Sequence, residues 1–119
     1  YALLVNRYSD HLYTKFSASG IDHNGANCVS TASAIIALIA NGLNPASDYW
    51  TSGGSTLISS LLQYENNGEF SWSIDGEIDT AFSTPQGFGA LVAYKVYRDT
   101  NFAPVRLFEP IPVPEPVIP

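Results

Sequence analysis

Two stretches of this 119-residue chain gather side chains that could do chemistry. "IDHNGAN", residues 21–27, places Asp22 and His23 shortly before Cys28. "SWSIDGEID", residues 71–79, carries Trp72, Asp75, Glu77 and Asp79. Carboxylate, imidazole and thiol are all zinc-ligand types, but the spacing of Asp22, His23 and Cys28 matches no standard zinc signature. A solvated loop histidine and a buried thiol account for them, so no metal is assigned. In the second stretch, oxygen-rich groups beside an exposed aromatic suit a sugar, a small polar ligand or a calcium ion. The competing reading is a soluble acidic loop with Trp72 tucked into the core. The candidate ligand-binding residues are therefore Trp72, Asp75, Glu77, Asp79, Asp22 and His23.

Catalytic patterns are missing from the sequence. No serine sits in a nucleophile elbow. No glycine loop has the form that cradles a phosphate at a helix start. No catalytic residue and no cofactor is assigned. A net charge of −6 argues against a phosphate-backbone partner, which needs a basic face, and fits plain solubility. The longest apolar run, "ASAIIALIA", is about half the ~20 residues of a membrane span. One cysteine allows no internal disulfide. The chain opens "YALLVNRYSD" with neither an initiator Met nor a signal-peptide layout, and reads as a piece of something longer.

The elements that would position these groups are helical. Apolar residues at Leu4, Tyr8, Leu12 and Phe16 predict an amphipathic helix from Tyr1 to about Phe16. "SASGIDHNGAN" breaks it. A second helix is expected from about Val29 to Asn41, capped by Ser30 or Asn27 and ended by Asn41-Gly42 and Pro45. "SDYWTSGG" reads as a loop or weak helical turn. A third helix is expected over about Ser55 to Tyr64, with Leu57, Ile58, Leu61 and Leu62 on one face. "ENNGEFSWSIDGEID" reads as a long polar loop, within which "GEFSWSI" alternates briefly. A fourth helix should start near Ser83 or Thr84, with Pro85 in its first turn, and run to about Tyr97 or Arg98. The tail "APVRLFEPIPVPEPVIP" favours extended polyproline-II and reads as a spacer. The fold class expected is all-α.

The chain also repeats itself. "STASAIIALIAN", residues 30–41, returns as "STPQGFGALVAY", residues 83–94. At this offset of 53, Thr31 falls on Thr84, Ala37 on Ala90, Leu38 on Leu91 and Ile39 on Val92. Leu4 on Leu57 and Val5 on Ile58 extend the match into the first and third helices. The unit is a helical hairpin written twice. Repeat one spans about residues 1–50 and repeat two about 51–102, with 103–119 as a Pro-rich tail or linker. Helices two and four are poor in charge and rich in small residues. They suit inner positions with neighbours on several sides, and Gly87 and Gly89 should admit a close neighbour.

"LLQYENNGEF", residues 61–70, followed by "DTAFSTPQGFGALVAYKVY", resembles the prenyltransferase and squalene-cyclase repeat. Gln63, Gly68 and Phe70 sit on its Gln, spacer, Gly-x-aromatic pattern, with one extra spacer residue. "NCVSTASAIIALIANGLNPASDYW" resembles the preceding inner helix and its link. The resemblance is to variants in bacterial surface or secreted proteins with transcobalamin-like domains. It implies two hairpins of an α/α toroid, a partial ring whose inner helices line a cavity. The chemistry of the wider group does not carry over. "IDGEID" lacks the tight aspartate run of squalene cyclases. The Cys-x-x-Gln of complement-type thioester domains is excluded by Thr31.

The expected function is a non-catalytic binding or structural module of a bacterial cell-surface or secreted protein. Its partner would be a small polar ligand or a neighbouring domain. No nucleic acid or membrane span is expected, and self-association is open to an uncapped array. The alternative is part of a terpene-cyclase or prenyltransferase-type enzyme whose catalytic residues lie elsewhere.

Overall fold

The computed structural model describes residues 2–22 and 25–105, with side chains from residue 6 onward. The chain beyond Val105, including most of the expected Pro-rich tail, lies outside the described residues. Four α-helices are described: α1 (Ala2–Thr14), α2 (Cys28–Ala40), α3 (Leu57–Leu62) and α4 (Ser83–Asp99). The expected helices are all present, within a few residues of their predicted ends.

The all-α expectation needs correction. Three two-stranded antiparallel hairpins lie between the helices: β1 (Phe16–Ser17) with β2 (Gly20–Ile21), β3 (Thr51–Ser52) with β4 (Ser55–Thr56), and β5 (Glu65–Asn66) with β6 (Glu69–Phe70). The domain is mostly helical with small sheets. Two of the turns are built by residues that tolerate a left-handed backbone. Gly53 and Gly54 have φ of 57° and 82°, and Asn67 and Gly68 have 54° and 84°. Positive φ at both central residues is the requirement of the tight hairpin turn that follows strand twist.

Helix ends follow local chemistry. Asn27 caps α2, its side chain accepting the Ser30 N–H at 2.8 Å. Thr56 caps α3 in a reciprocal capping box with Ser59. The α3 face is narrower than expected: Leu57 and Leu61 are buried, Ile58 is partly so, and Leu62 is exposed. Gln63 and Tyr64 close the helix and lead into β5.

α2 is the central element. Its Cys28, Thr31, Ala32, Ala34, Ile35, Leu38 and Ile39 are buried, which places apolar atoms on more than one side. Each fully buried Ile or Leu contributes about 2 kcal/mol. α2 packs most extensively on α4 and also touches α3 and β2. α4 differs from the expectation. Its buried residues Ser83, Gly87, Ala90, Ala93 and Tyr97 form one stripe, and the opposite face is open.

Corresponding contacts recur in the two halves of the chain. Asp22 N–H bonds the Lys15 carbonyl at 2.9 Å, and Ser71 N–H bonds the Tyr64 carbonyl at 2.9 Å. These pairs are 49 residues apart, as are Phe16 and Glu65 at the hairpin starts. In both halves a threonine of the helix after the hairpin holds it. Thr31 Oγ1 accepts the Ile21 N–H at 3.0 Å, and Thr84 Oγ1 accepts the Phe70 N–H at 2.9 Å. α2 and α4 thus keep the offset of 53, while the hairpins and the helix ends before them keep 49. Leu57 is matched by Tyr8 rather than by Leu4, because the loop between hairpin and inner helix is four residues longer in the second unit.

The units are joined by the first hairpin turn, which lies on α3. Ser60 Oγ donates to the Ala18 carbonyl at 2.9 Å, and Gln63 Nε2 donates to the same oxygen at 2.8 Å. Tyr64 OH donates to the Ser19 carbonyl at 2.6 Å. Three donors meet two carbonyls that would otherwise lose water at the joint, each bond worth about 1 kcal/mol net.

Candidate functional site

The two loops that precede α2 and α4 come together at one point. Cys28 N–H, at the start of α2, donates to the Trp72 carbonyl at 2.9 Å. The predicted site residues are otherwise dispersed. Asp22 holds its own loop, its Oδ1 accepting the Gly25 N–H at 2.8 Å, while its backbone bridges to Ala26. It also lines a cleft of about 300 Å³ between α1 and α2, with Tyr8, His11, Lys15 and Ser30. His23 lies outside the described residues. Asp75 lines a different and smaller cleft, about 170 Å³, with Gln63, Glu65, Asn66 and Gly76. Asp22 and Asp75 therefore do not share a cavity.

Asp79 serves the helix that follows it. Its carboxylate accepts the N–H groups of Ala81 at 3.2 Å, Phe82 at 3.3 Å and Ser83 at 2.9 Å, and the Ser83 hydroxyl at 2.8 Å. Ser83 is the first residue of α4, which carries no side-chain cap at Phe82 itself, so Asp79 meets one of the helix's unpaired donors and orders the two residues just ahead of it. The Ser83 hydroxyl and backbone bonds, followed by those of Phe82 and Ala81, hold the carboxyl below its ordinary range.

Cys28 is fully buried, and its thiol faces the Ser83 carbonyl at 3.7 Å. Burial pushes it up to about 12, with Asp79 adding to the rise and the Ser83 contact opposing it. A thiol so placed stays protonated at neutral pH and is a poor nucleophile. Tyr64 is likewise raised to about 12 by burial, with the neighbouring Cys28 adding to it. Among the described residues, no three His, Cys, Asp or Glu side chains come together to hold a metal ion.

What remains accessible is the tip of the second loop. Trp72 is 50% exposed rather than tucked into the core, and Asp75 and Glu77 are exposed beside it in sequence. Asp75 adopts a left-handed backbone with φ of 59°, which turns the chain sharply before the Ser71–Ile78 bridge.

The side chains with the most structural consequence were not among the predicted site. Thr31 and Thr84 tie helix to hairpin, and Ser60, Gln63 and Tyr64 tie unit to unit. The Ser-Thr pair was visible in the repeat, but its register signalled helix starts rather than hairpin anchors. No family model, curated protein or solved structure matches the chain.

Proposed function

We propose that this chain is a non-catalytic binding module, one part of an α/α toroid in a bacterial surface or secreted protein. The observation that carries this reading is a division of labour between loop and helix. Asp79, Cys28, Thr31 and Thr84 are engaged within the fold, while Trp72, Asp75 and Glu77 stand free on one short loop. An exposed aromatic plane with adjacent carboxylates stacks on and hydrogen-bonds a small polar ligand such as a neutral sugar. The toroid rests on the resemblance of "LLQYENNGEF" to a known repeat, and on the side-by-side packing of α2 and α4. No described residue favours the alternative of a cyclase or prenyltransferase enzyme.

Trp72 emission is the direct test, because Trp50, the other tryptophan, is buried. Titration with a neutral oligosaccharide, and separately with a calcium salt, should give a saturable change that Trp72→Phe abolishes and Asp75→Asn weakens. An unresponsive Trp72 with both probes refutes the binding reading.

A further inference from the structure

The two units bury different residues at equivalent positions, and the difference marks two complementary faces. In the first unit, Ile35 and Ile39 on α2 are both 0% exposed, and Leu43 just beyond packs against the core. Their equivalents on α4, at the offset of 53, are Phe88, Val92 and Val96, which are 63%, 37% and 38% exposed. The ridge that the first unit presses into the molecule is presented to solvent by the second. The β5–β6 turn behaves likewise. Its counterpart, Ala18-Ser19, is held by Ser60 of α3 and by Gln63 and Tyr64 just after it, and Asn67-Gly68 has no described helix against it.

The opposite end shows the converse. The α1–α2 cleft of about 300 Å³ is lined by Tyr8, His11, Leu12, Lys15 and Ile21 among others. Their counterparts 49 residues on are Leu57, Ser60, Leu61, Tyr64 and Phe70, all buried under the first unit. At the positions of Ser60 and Tyr64, the two donors to the turn carbonyls, α1 carries His11 and Lys15, which are exposed and also donors. Charge agrees as well, since Glu65 and Glu69 flank the Asn67-Gly68 turn.

We infer that the molecule associates head to tail with a second copy of itself. The Phe88, Val92 and Val96 ridge and the β5–β6 turn of one copy seat in the α1–α2 cleft of the next. His11 and Lys15 donate to the Asn67 and Gly68 carbonyls, as Ser60 and Tyr64 donate to Ala18 and Ser19 within one chain. This inference rests on the repeat reading and is independent of Trp72, which is not among the residues lining the cleft or forming the ridge. The contact uses two different surfaces, so it adds copies head to tail, as a ring where the rotation between copies closes and as a filament where it does not.

Sedimentation equilibrium from about micromolar to about millimolar concentration tests it. The weight-average mass should rise with concentration above the 12.9 kDa of one chain. Val92→Asp, at a position already exposed in the single molecule, should weaken association by at least about tenfold. Circular dichroism checks that this variant is folded before its mass is read. Lys15→Glu should weaken association too, and mixing it with a Glu65→Lys, Glu69→Lys chain should restore it. A mass that stays at one chain across the range, or an association untouched by both Val92→Asp and Lys15→Glu, overturns the inference.

Discussion

Gly87 and Gly89 sit two residues apart in α4, and the same substitution should move stability in opposite directions at the two sites. At Gly89 a Cβ meets nothing within 4 Å. Gly89→Ala therefore gains helix propensity without a packing penalty, about 0.5–1 kcal/mol. At Gly87 a Cβ would lie 2.7 Å from Cγ and Cδ2 of Phe70 and 2.9 Å from Cδ1, against the face of the ring. The ring cannot readily withdraw. Phe70 is 1% exposed, and its backbone N–H is held by Thr84 at 2.9 Å. Overpacking of this kind costs about 1–3 kcal/mol, which outweighs the propensity gain of about 1 kcal/mol. The expected net loss for Gly87→Ala is about 1 kcal/mol, so the two variants should differ by about 2 kcal/mol. In a domain of this size that is a gap of roughly 10 °C in melting temperature. Urea unfolding followed by circular dichroism, at a concentration where the chain is monomeric, measures both. The cause is isolated by repeating Gly87→Ala in a Phe70→Leu background, where the smaller side chain should reduce or reverse the loss. If both glycine variants shift the same way, or Phe70→Leu leaves the Gly87→Ala effect unchanged, the close approach is not what selects glycine at 87.

Thr31→Val and Thr84→Val keep shape but remove the acceptors of the Ile21 and Phe70 N–H groups. Each should cost about 1–2 kcal/mol and speed hydrogen exchange at its own hairpin amide and not at the other. Asp79 has a lowered folded-state pKa, so its contribution is present above the ordinary carboxylate range and is lost as pH falls through the folded value. Asp79→Ala should flatten that acid limb of the stability profile and fray the first turn of α4, seen as faster exchange at Ser83 and Thr84.

Helices and repeat were legible because each carries a long-period signal: apolar spacing in α1 and α2, and the paired Ser-Thr starts of α2 and α4. The hairpins were not, because two-residue strands are too short to show alternation. Their local signs were turn chemistry, Gly53-Gly54 and Asn67-Gly68, which read as loop residues, and the brief alternation of "GEFSWSI", which contains β6 but is too short to outweigh the helical pattern around it. The expected crowding around α4 failed for a related reason. Small residues at Gly87, Ala90 and Ala93 report one close-packed stripe, and they say nothing of Phe88, Val92 and Val96 on the other side. The candidate site was legible as composition only. That Asp79 caps a helix while Asp75 and Glu77 do not depends on where α4 begins relative to the loop.

The extra length in the second loop bears on what that loop is for. The first unit closes its hairpin with the Asp22–Ala26 bridge, over three intervening residues. The second makes the corresponding closure with Ser71–Ile78, over six. Both then reach an inner-helix threonine that anchors the hairpin in the same way. The shorter loop shows that the fold completes this step without the additional residues. Those residues lie in the excursion that holds Trp72 half-exposed and turns the backbone at Asp75 into a left-handed conformation. Trp72 forgoes half of the burial its side chain could gain, and Asp75 holds a backbone region that non-glycine residues enter uncommonly. The proposed binding role accounts for an excursion that closing the unit does not need, and on that proposal the loop ahead of α4, rather than the repeated helix itself, is where a ligand should be sought.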